Sequence, residues 1–191
     1  MNPGELHVWI VHLDRQPALP PTPGESARAA RFRSPEKQRE YLRSHAALRA
    51  ILGSSMFAIS DTGKPFLPAS PSVKFNLSHS GERALVAVAL EVEVGVDVER
   101  VRLMPDWRQI AERFFPPSEA AELAGESDFF QRWTRIEAVL KARGVGLYGA
   151  GSEPEGEWTV ESIDLGPDYA AAAAAPHPDM QLMLHHFGDE Q

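Results

Sequence analysis

The 191-residue chain is 43% hydrophobic and 24% charged, globular proportions that exclude a disordered or fibrous protein and suit one domain or two very small ones packed together. It has no cysteine, which removes disulfides, a thiol nucleophile and thiolate-bound zinc or iron–sulfur centres. The apolar run Ala84–Leu90 is seven residues long, far short of the roughly 20 needed to cross a bilayer, and Glu5, His7, His12 and Asp14 interrupt any signal-peptide pattern. A cytoplasmic protein without a membrane partner is the expectation.

The net charge of −8 conceals an asymmetry. Residues 1–141 hold 18 basic and 18 acidic residues, whereas 142–191 hold one arginine against nine acids. Between Ser26 and Gly53 seven basic residues (Arg28, Arg31, Arg33, Lys37, Arg39, Arg43, Arg49) face two acids. Such a cluster is either a solvated helix face or a surface for a phosphorylated or acidic partner. Nucleic acid is not expected, because the whole chain is acidic and no aromatic-interleaved basic stripe is present.

In chain order, Leu6–Leu13 is β-branched and aromatic and reads as a strand. Thr22-Pro23-Gly24-Glu25 forms a capping box with proline at the first helical position, and Ser34-Pro35 opens a second helix that Gly53 stops. Asp61–Pro65 is turn chemistry, followed by proline-rich loop to Pro71. Strands are expected over 73–77, 84–90 and 92–98, the first two separated by a polar turn, Ser78-His79-Ser80-Gly81. Helices follow over 105–115 and 117–124, then a helix capped by Ser127 that runs to Arg143. The segments 158–163, 169–174 and 180–187 read as a terminal antiparallel meander; the alanine run 170–175 is assigned to strand because Gly166-Pro167 and Pro176 hem it in, although alanine ordinarily favours helix. Runs of strands and helices without βαβ alternation indicate an α+β fold.

Three constellations can carry chemistry. In Gly95-Val96-Asp97-Val98-Glu99 the alternation of a strand sets Asp97 and Glu99 on one face, which is either a solvated strand face or a Mg²⁺ site. On the helix Trp133–Lys141, Phe129, Trp133, Ile136 and Leu140 form an apolar stripe, and Glu137 and Lys141 fall four apart beside it. That pair is either an ordinary helical ion pair or a metal carboxylate or base beside a phosphate-binding cation. The block Phe75-Asn76-Leu77-Ser78-His79-Ser80-Gly81, preceded by Gly63-Lys64-Pro65, is either a plain turn or one suited to phosphate; no GxSxG element supports a catalytic serine.

In this order, GKP, FNLSHSG, GVDVE and the WTxxEAxxK helix resemble the phosphopantetheinyl transferases of the surfactin-synthetase type, over roughly Arg28 to Leu147. The resemblance implies transfer of the 4′-phosphopantetheine arm of coenzyme A to a serine of an acyl or peptidyl carrier protein with Mg²⁺, releasing 3′,5′-ADP. It also implies two similar α+β halves related by a pseudo-twofold, residues 1–93 and 94–191, with the active site in the cleft between them, in a monomer, and a role in secondary metabolite biosynthesis. By position, Asp97, Glu99 and Glu137 correspond to the metal carboxylates, Glu137 to the base for the serine hydroxyl, and Lys141 to the lysine near the leaving phosphate. Arg49, Lys64, Ser78 and His79 match coenzyme A-binding positions, with Lys37 and Arg39 more loosely placed.

Two features depart from the family pattern. Ile136 stands where a lysine usually precedes the glutamate; because it continues the apolar stripe, its effect is expected on packing more than on chemistry. The chain is also short for the family, with reduced loops after Gly53 and Gly149. Two other functions use part of the pattern: a non-catalytic paralogue that binds coenzyme A or a carrier, and a Mg²⁺-dependent phosphohydrolase. The latter leaves GKP and the LSH block without a purpose.

Overall fold

The structure is a computed structural model that describes residues 1–15, 19–146 and 156–188. Leu147 and the loop after Gly149 lie outside the described residues. The elements run β1 (Glu5–His12), α1 (Pro23–Ala29), α2 (Pro35–Leu52), β2 (Ala58–Ile59), β3 (Pro65–Phe66), β4 (Val73–Ser80), β5 (Arg83–Leu90), β6 (Gly95–Arg100), α3 (Trp107–Phe114), α4 (Pro117–Glu122), α5 (Glu126–Arg143), β7 (Thr159–Ser162), β8 (Tyr169–Ala175) and β9 (Gln181–Phe187). The fold is α+β, as its order of elements implied. One sheet has the order β4-β5-β1-β9, a second β6-β8-β7, and β2-β3 form a small hairpin around the expected turn at Asp61–Pro65.

Local signals start and stop the first helices. Thr22 Oγ1 accepts from Glu25 N while the Glu25 carboxylate accepts from Thr22 N, the reciprocal capping box. Ser34 caps α2, and Gly53 ends it in the left-handed conformation at φ 61°, which glycine adopts without a Cβ penalty.

The two sheets pack face to face. Leu6, Val8 and Ile10 of β1 and Leu85, Ala87 and Ala89 of β5 meet Val96 and Val98 of β6 and Ala171, Ala173 and Ala175 of β8 in one buried cluster. The outer face of the first sheet is covered by α2, with Leu48 against Phe75, Val86 and Val88, and Ala47 against Val11 and Ala84. The outer face of the second sheet is covered by α5, with Ala138 against Ala172 and Ala174. This explains the alanine run: β8 is buried on both faces, and a bare methyl at every position lets a sheet approach from one side and a helix from the other. Close packing here outweighs the helix preference of alanine. An aromatic cluster of Trp107, Phe115, Phe129 and Phe130 holds α3, α4 and α5 together, and Trp133 and Ile136 pack against it.

Four expectations are corrected. Ser78, His79 and Ser80 lie not in a turn but in β4, which pairs antiparallel with β5 through His79↔Ala84 and Ser80↔Arg83; the chain reverses after Ser80 through Gly81, at φ 57°. The third strand begins at Gly95 and continues to Arg100 rather than spanning 92–98. Ser127 is inside α5, whose N-cap is Gly125, because Asp128 provides the terminal bond, accepting from Ala124 N at 2.9 Å. The last three strands are no meander: β7 and β8 pair antiparallel, but β9 crosses to the first sheet and pairs parallel with β1, from Glu5↔Gln181 to Val11↔Phe187. Side chains reinforce that pairing. His7 Nδ1 and His185 Nε2 lie 2.8 Å apart, their rings stack, and Trp9 stacks on His185.

Gly95 sets how closely α5 can lie on β6. A Cβ at this position would stand 1.9 Å from the Ala138 carbonyl oxygen and 2.5 Å from Ala142 N, both helix backbone that cannot rotate away. Gly95→Ala is therefore expected to destabilise by about 3 kcal/mol, the upper end of overpacking costs, a fall of roughly 6–12 °C in the thermal midpoint measurable by calorimetry. An unchanged midpoint would contradict this packing.

Candidate active site

The strand β6 has two free sides, and each is used. One edge pairs with β8. Along the other, Val96 N donates to Asn76 Oδ1 at 2.9 Å, Val98 N to Ser78 Oγ at 3.3 Å and Arg100 N to Ser80 Oγ at 3.1 Å. Alternate side chains of β4 thus replace a neighbouring strand's carbonyls, and the first sheet is fastened to the second along this seam. The same hydroxyls reach the acids of β6: Ser78 Oγ donates to Asp97 Oδ1 at 2.9 Å, and Ser80 Oγ to Glu99 Oε2 at 3.1 Å.

Helix α5 completes the cluster from the opposite side. Lys141 Nζ donates to Asp97 Oδ1 at 2.6 Å and to Ser78 Oγ at 3.0 Å, so Lys141 is bonded to β6 and β4 rather than paired only with Glu137 one turn earlier. Asp97 is buried, and its second oxygen, Oδ2, is buried with no hydrogen-bond partner. Glu137 holds its proton more tightly than an ordinary glutamate, chiefly because burial penalises the carboxylate and also because Asp97 and Glu99 repel it, with Lys141 opposing. Glu137 is therefore in electrostatic range of Asp97, Glu99 and Lys141. Among the described residues no ready-made cage of three histidine or acid side chains exists; the arrangement is instead a set of carboxylates in which one buried oxygen, Asp97 Oδ2, lacks a partner. Such a donor set suits a hard divalent cation that keeps waters and substrate oxygens in its shell.

The pleat of β4 separates Ser78 from His79. Ser78 faces β6 and α5, whereas His79 turns toward α2, its Nδ1 3.7 Å from Glu40 Oε2 and without a hydrogen-bond partner. Burial lowers the proton affinity of His79, with Glu40 opposing and Lys37 and Lys141 adding to the effect. Lys37 Nζ donates to Glu40 at 2.8 Å. Further along α2, Arg49 is bonded to the buried Glu25 carboxylate of α1 and to Pro20 O at 2.9 Å. Lys64 is bonded to Glu93 Oε2 at 2.5 Å, Val94 O at 3.0 Å and Ala142 O at 3.2 Å, tying the β3 loop to the start of β6 and the end of α5. It lines a cavity of about 360 Å³ with Lys74, Phe75, Glu93 and Arg143.

Of the residues singled out in the sequence, Asp97, Glu99, Glu137, Lys141 and Ser78 converge. His79 stands within electrostatic range, and Lys64 and Arg49 are engaged elsewhere. Asn76, Ser80, Glu25 and Glu40 were missed. Asn76, Ser78 and Ser80 are visible as an i, i+2, i+4 polar row once the block is treated as strand; Glu25 shows only as part of its capping box, and the buried Glu40 leaves no signal in a basic helical region.

The site lies within a region of known kind. A family model for the 4′-phosphopantetheinyl transferase superfamily matches residues 93–174. The chain is 36% identical to the 4′-phosphopantetheinyl transferase HetI of Nostoc over 75% of its own length and 70% of HetI. The chain belongs to the 4′-phosphopantetheinyl transferase superfamily. It is 26% identical to 4′-phosphopantetheinyl transferase Sfp of Bacillus subtilis over 91% of this chain and 94% of Sfp, and 34% identical to 4′-phosphopantetheinyl transferase AcpT of Salmonella typhi over 61% of this chain and 58% of AcpT. As a superfamily member the chain is an enzyme of the transferase class. The matched segment contains Asp97, Glu99, Glu137 and Lys141, and no described helix is long and apolar enough to cross a membrane.

The α1–α2 network has a pH signature. Burial holds His45, beside Glu25, Arg49 and His79, at a pKa of about 4, down from 6.5. The unfolded chain therefore takes up a proton below about pH 6.5 that the folded chain refuses, so stability falls as pH drops from 6.5 toward 4. In His45→Gln that fall in thermal midpoint is expected to be smaller, as read by melts across this pH range.

Proposed function

We propose that this transferase moves the 4′-phosphopantetheine group of coenzyme A to a serine of an apo acyl or peptidyl carrier protein, with Mg²⁺, releasing 3′,5′-ADP. The observation that carries the reading is the buried Asp97, bonded through Oδ1 to Lys141 and Ser78, with Oδ2 lacking a partner and Glu137 in electrostatic range. Asp97, Glu99 and Glu137 would hold the metal, which when bound supplies charge neutralisation for a pyrophosphate, where catalysis of phosphoryl transfer chiefly lies. The relatives' names support the same class of reaction.

In this reading the carrier serine oxygen bonds to the β-phosphorus of coenzyme A, the bond from that phosphorus to the bridging oxygen breaks, and the electron pair leaves with 3′,5′-ADP. Glu137 is the base for the serine hydroxyl, directly or through water; a carboxyl whose proton affinity is raised is better matched to this task near neutral pH than an ordinary glutamate. Lys141 places its positive charge, or a proton, on the departing phosphate. Ser78 and His79 contact the nucleotide side of coenzyme A, Lys64 lines its approach, and Arg49 binds a phosphate by exchanging Glu25 for it; Lys37 and Arg39 add positive potential. The two halves, 1–93 and 94–191, are read as approximate twofold counterparts that meet along the β4–β6 seam, with β9 crossing back to the first. The protein acts as a cytoplasmic monomer in secondary metabolite biosynthesis.

The test incubates the enzyme with coenzyme A, Mg²⁺ and a panel of apo carriers and follows carrier mass. A gain of one phosphopantetheine group is expected, removed by chelation and restored by Mg²⁺, and Asp97→Asn is expected to slow it at least about 100-fold while retaining the wild-type circular dichroism. Coenzyme A binding without any transfer would indicate a non-catalytic paralogue. Release of free phosphate in place of 3′,5′-ADP would indicate a phosphohydrolase.

A further inference from the structure

The row Asn76, Ser78, Ser80 follows a rule that its fastening role alone does not explain. Each residue of the row accepts one backbone N–H from β6, at Val96, Val98 and Arg100. The residue preceding each of those N–H groups is Gly95, Asp97 and Glu99 in turn. Where that residue is glycine, β4 supplies an asparagine, which accepts with its carbonyl oxygen. Where it is an acid, β4 supplies a serine, whose hydroxyl accepts the N–H and has its own proton left to donate. Both serines donate that proton to the adjacent carboxylate, Ser78 to Asp97 Oδ1 at 2.9 Å and Ser80 to Glu99 Oε2 at 3.1 Å.

We infer that Ser80 is a positioning residue: it fixes the Glu99 carboxylate for a divalent cation, as Ser78 does for Asp97. The inference rests on the proposed function of these carboxylates. Glu99 Oε2 has a second donor, Arg102 Nη1 at 2.9 Å, but that side chain is half exposed and long, and such surface pairs hold geometry weakly. Ser80 Oγ is itself pinned by the Arg100 N–H, so the direction from which it reaches Glu99 is set by the backbone of β6. Glu99 is not deeply buried, and without this bond its carboxylate is free to follow Arg102 away from Asp97. Outer hydrogen bonds of this kind typically contribute 10–100-fold to metal affinity or activity.

The test measures Mn²⁺ binding to the full chain without coenzyme A or carrier, by the electron paramagnetic resonance of free Mn²⁺, alongside thermal melts. Wild type is expected to bind saturably, Asp97→Asn to lose that binding, and Ser80→Ala to bind about tenfold more weakly with a thermal midpoint within about 3 °C of wild type. Ser80→Thr, which keeps the hydroxyl, is expected to bind within about twofold of wild type. Wild-type affinity in Ser80→Ala, or failure of Ser80→Thr to restore binding, would overturn the inference while leaving the metal reading intact. Absence of saturable Mn²⁺ binding in the wild type, or its persistence in Asp97→Asn, would overturn the metal reading and this inference with it.

Discussion

The structure depends on how the outer edge of β6 is satisfied. A strand edge leaves backbone N–H groups that must find partners when buried, and here three of them are met by Asn76, Ser78 and Ser80 of β4. Side chains are longer than a backbone-to-backbone contact, so the two sheets join along a seam rather than merging into one. Asp97 and Glu99 project beside that seam, each bonded to one of its serines. The hydroxyls that close the seam also hold the acids, so the assembly of the fold and the arrangement of the site are one set of hydrogen bonds.

Helix α5 is brought to the same place by a different constraint. Gly95 has no Cβ, and this lets the helix backbone at Ala138 and Ala142 rest directly on the start of β6. The even-numbered alanines of β8 extend that close contact along the sheet. From this position Lys141 spans to Asp97 and Ser78, and Glu137 comes within range of both acids of β6. The Lys141 ammonium neutralises one carboxylate oxygen of a buried acid, which limits the cost of assembling three acids around one point. The other oxygen of Asp97 is left without a partner.

Much of this was legible in the sequence, and the remainder was hidden for identifiable reasons. Thr22, Pro23 and Glu25, and Ser34, Pro35 and Gly53, mark helix ends through local bonds, so these ends were correctly placed. The apolar stripe from Phe129 to Leu140 packs as its spacing implied, and Ile136 joins the aromatic cluster rather than the site. The block Ser78-His79-Ser80 was misjudged as a turn because its polarity is spent on a partner 20 residues away, a bond that no local pattern announces. The partner of β9 was missed for the same reason, since pairing with β1 joins opposite ends of the chain. Arg49 and Lys64 matched family positions, yet their present partners, Glu25 and Glu93, are visible only in three dimensions.

In the proposed site Asp97, Glu99 and Glu137 hold one divalent cation beside Lys141. Anomalous diffraction from crystals grown with Mn²⁺ and coenzyme A tests this most directly. A single strong peak is expected within bonding distance of Asp97 Oδ2, with Glu99 and Glu137 beside it. A fully occupied Mn²⁺ elsewhere in the molecule, with Asp97 Oδ2 still unpartnered in the presence of coenzyme A, would contradict it.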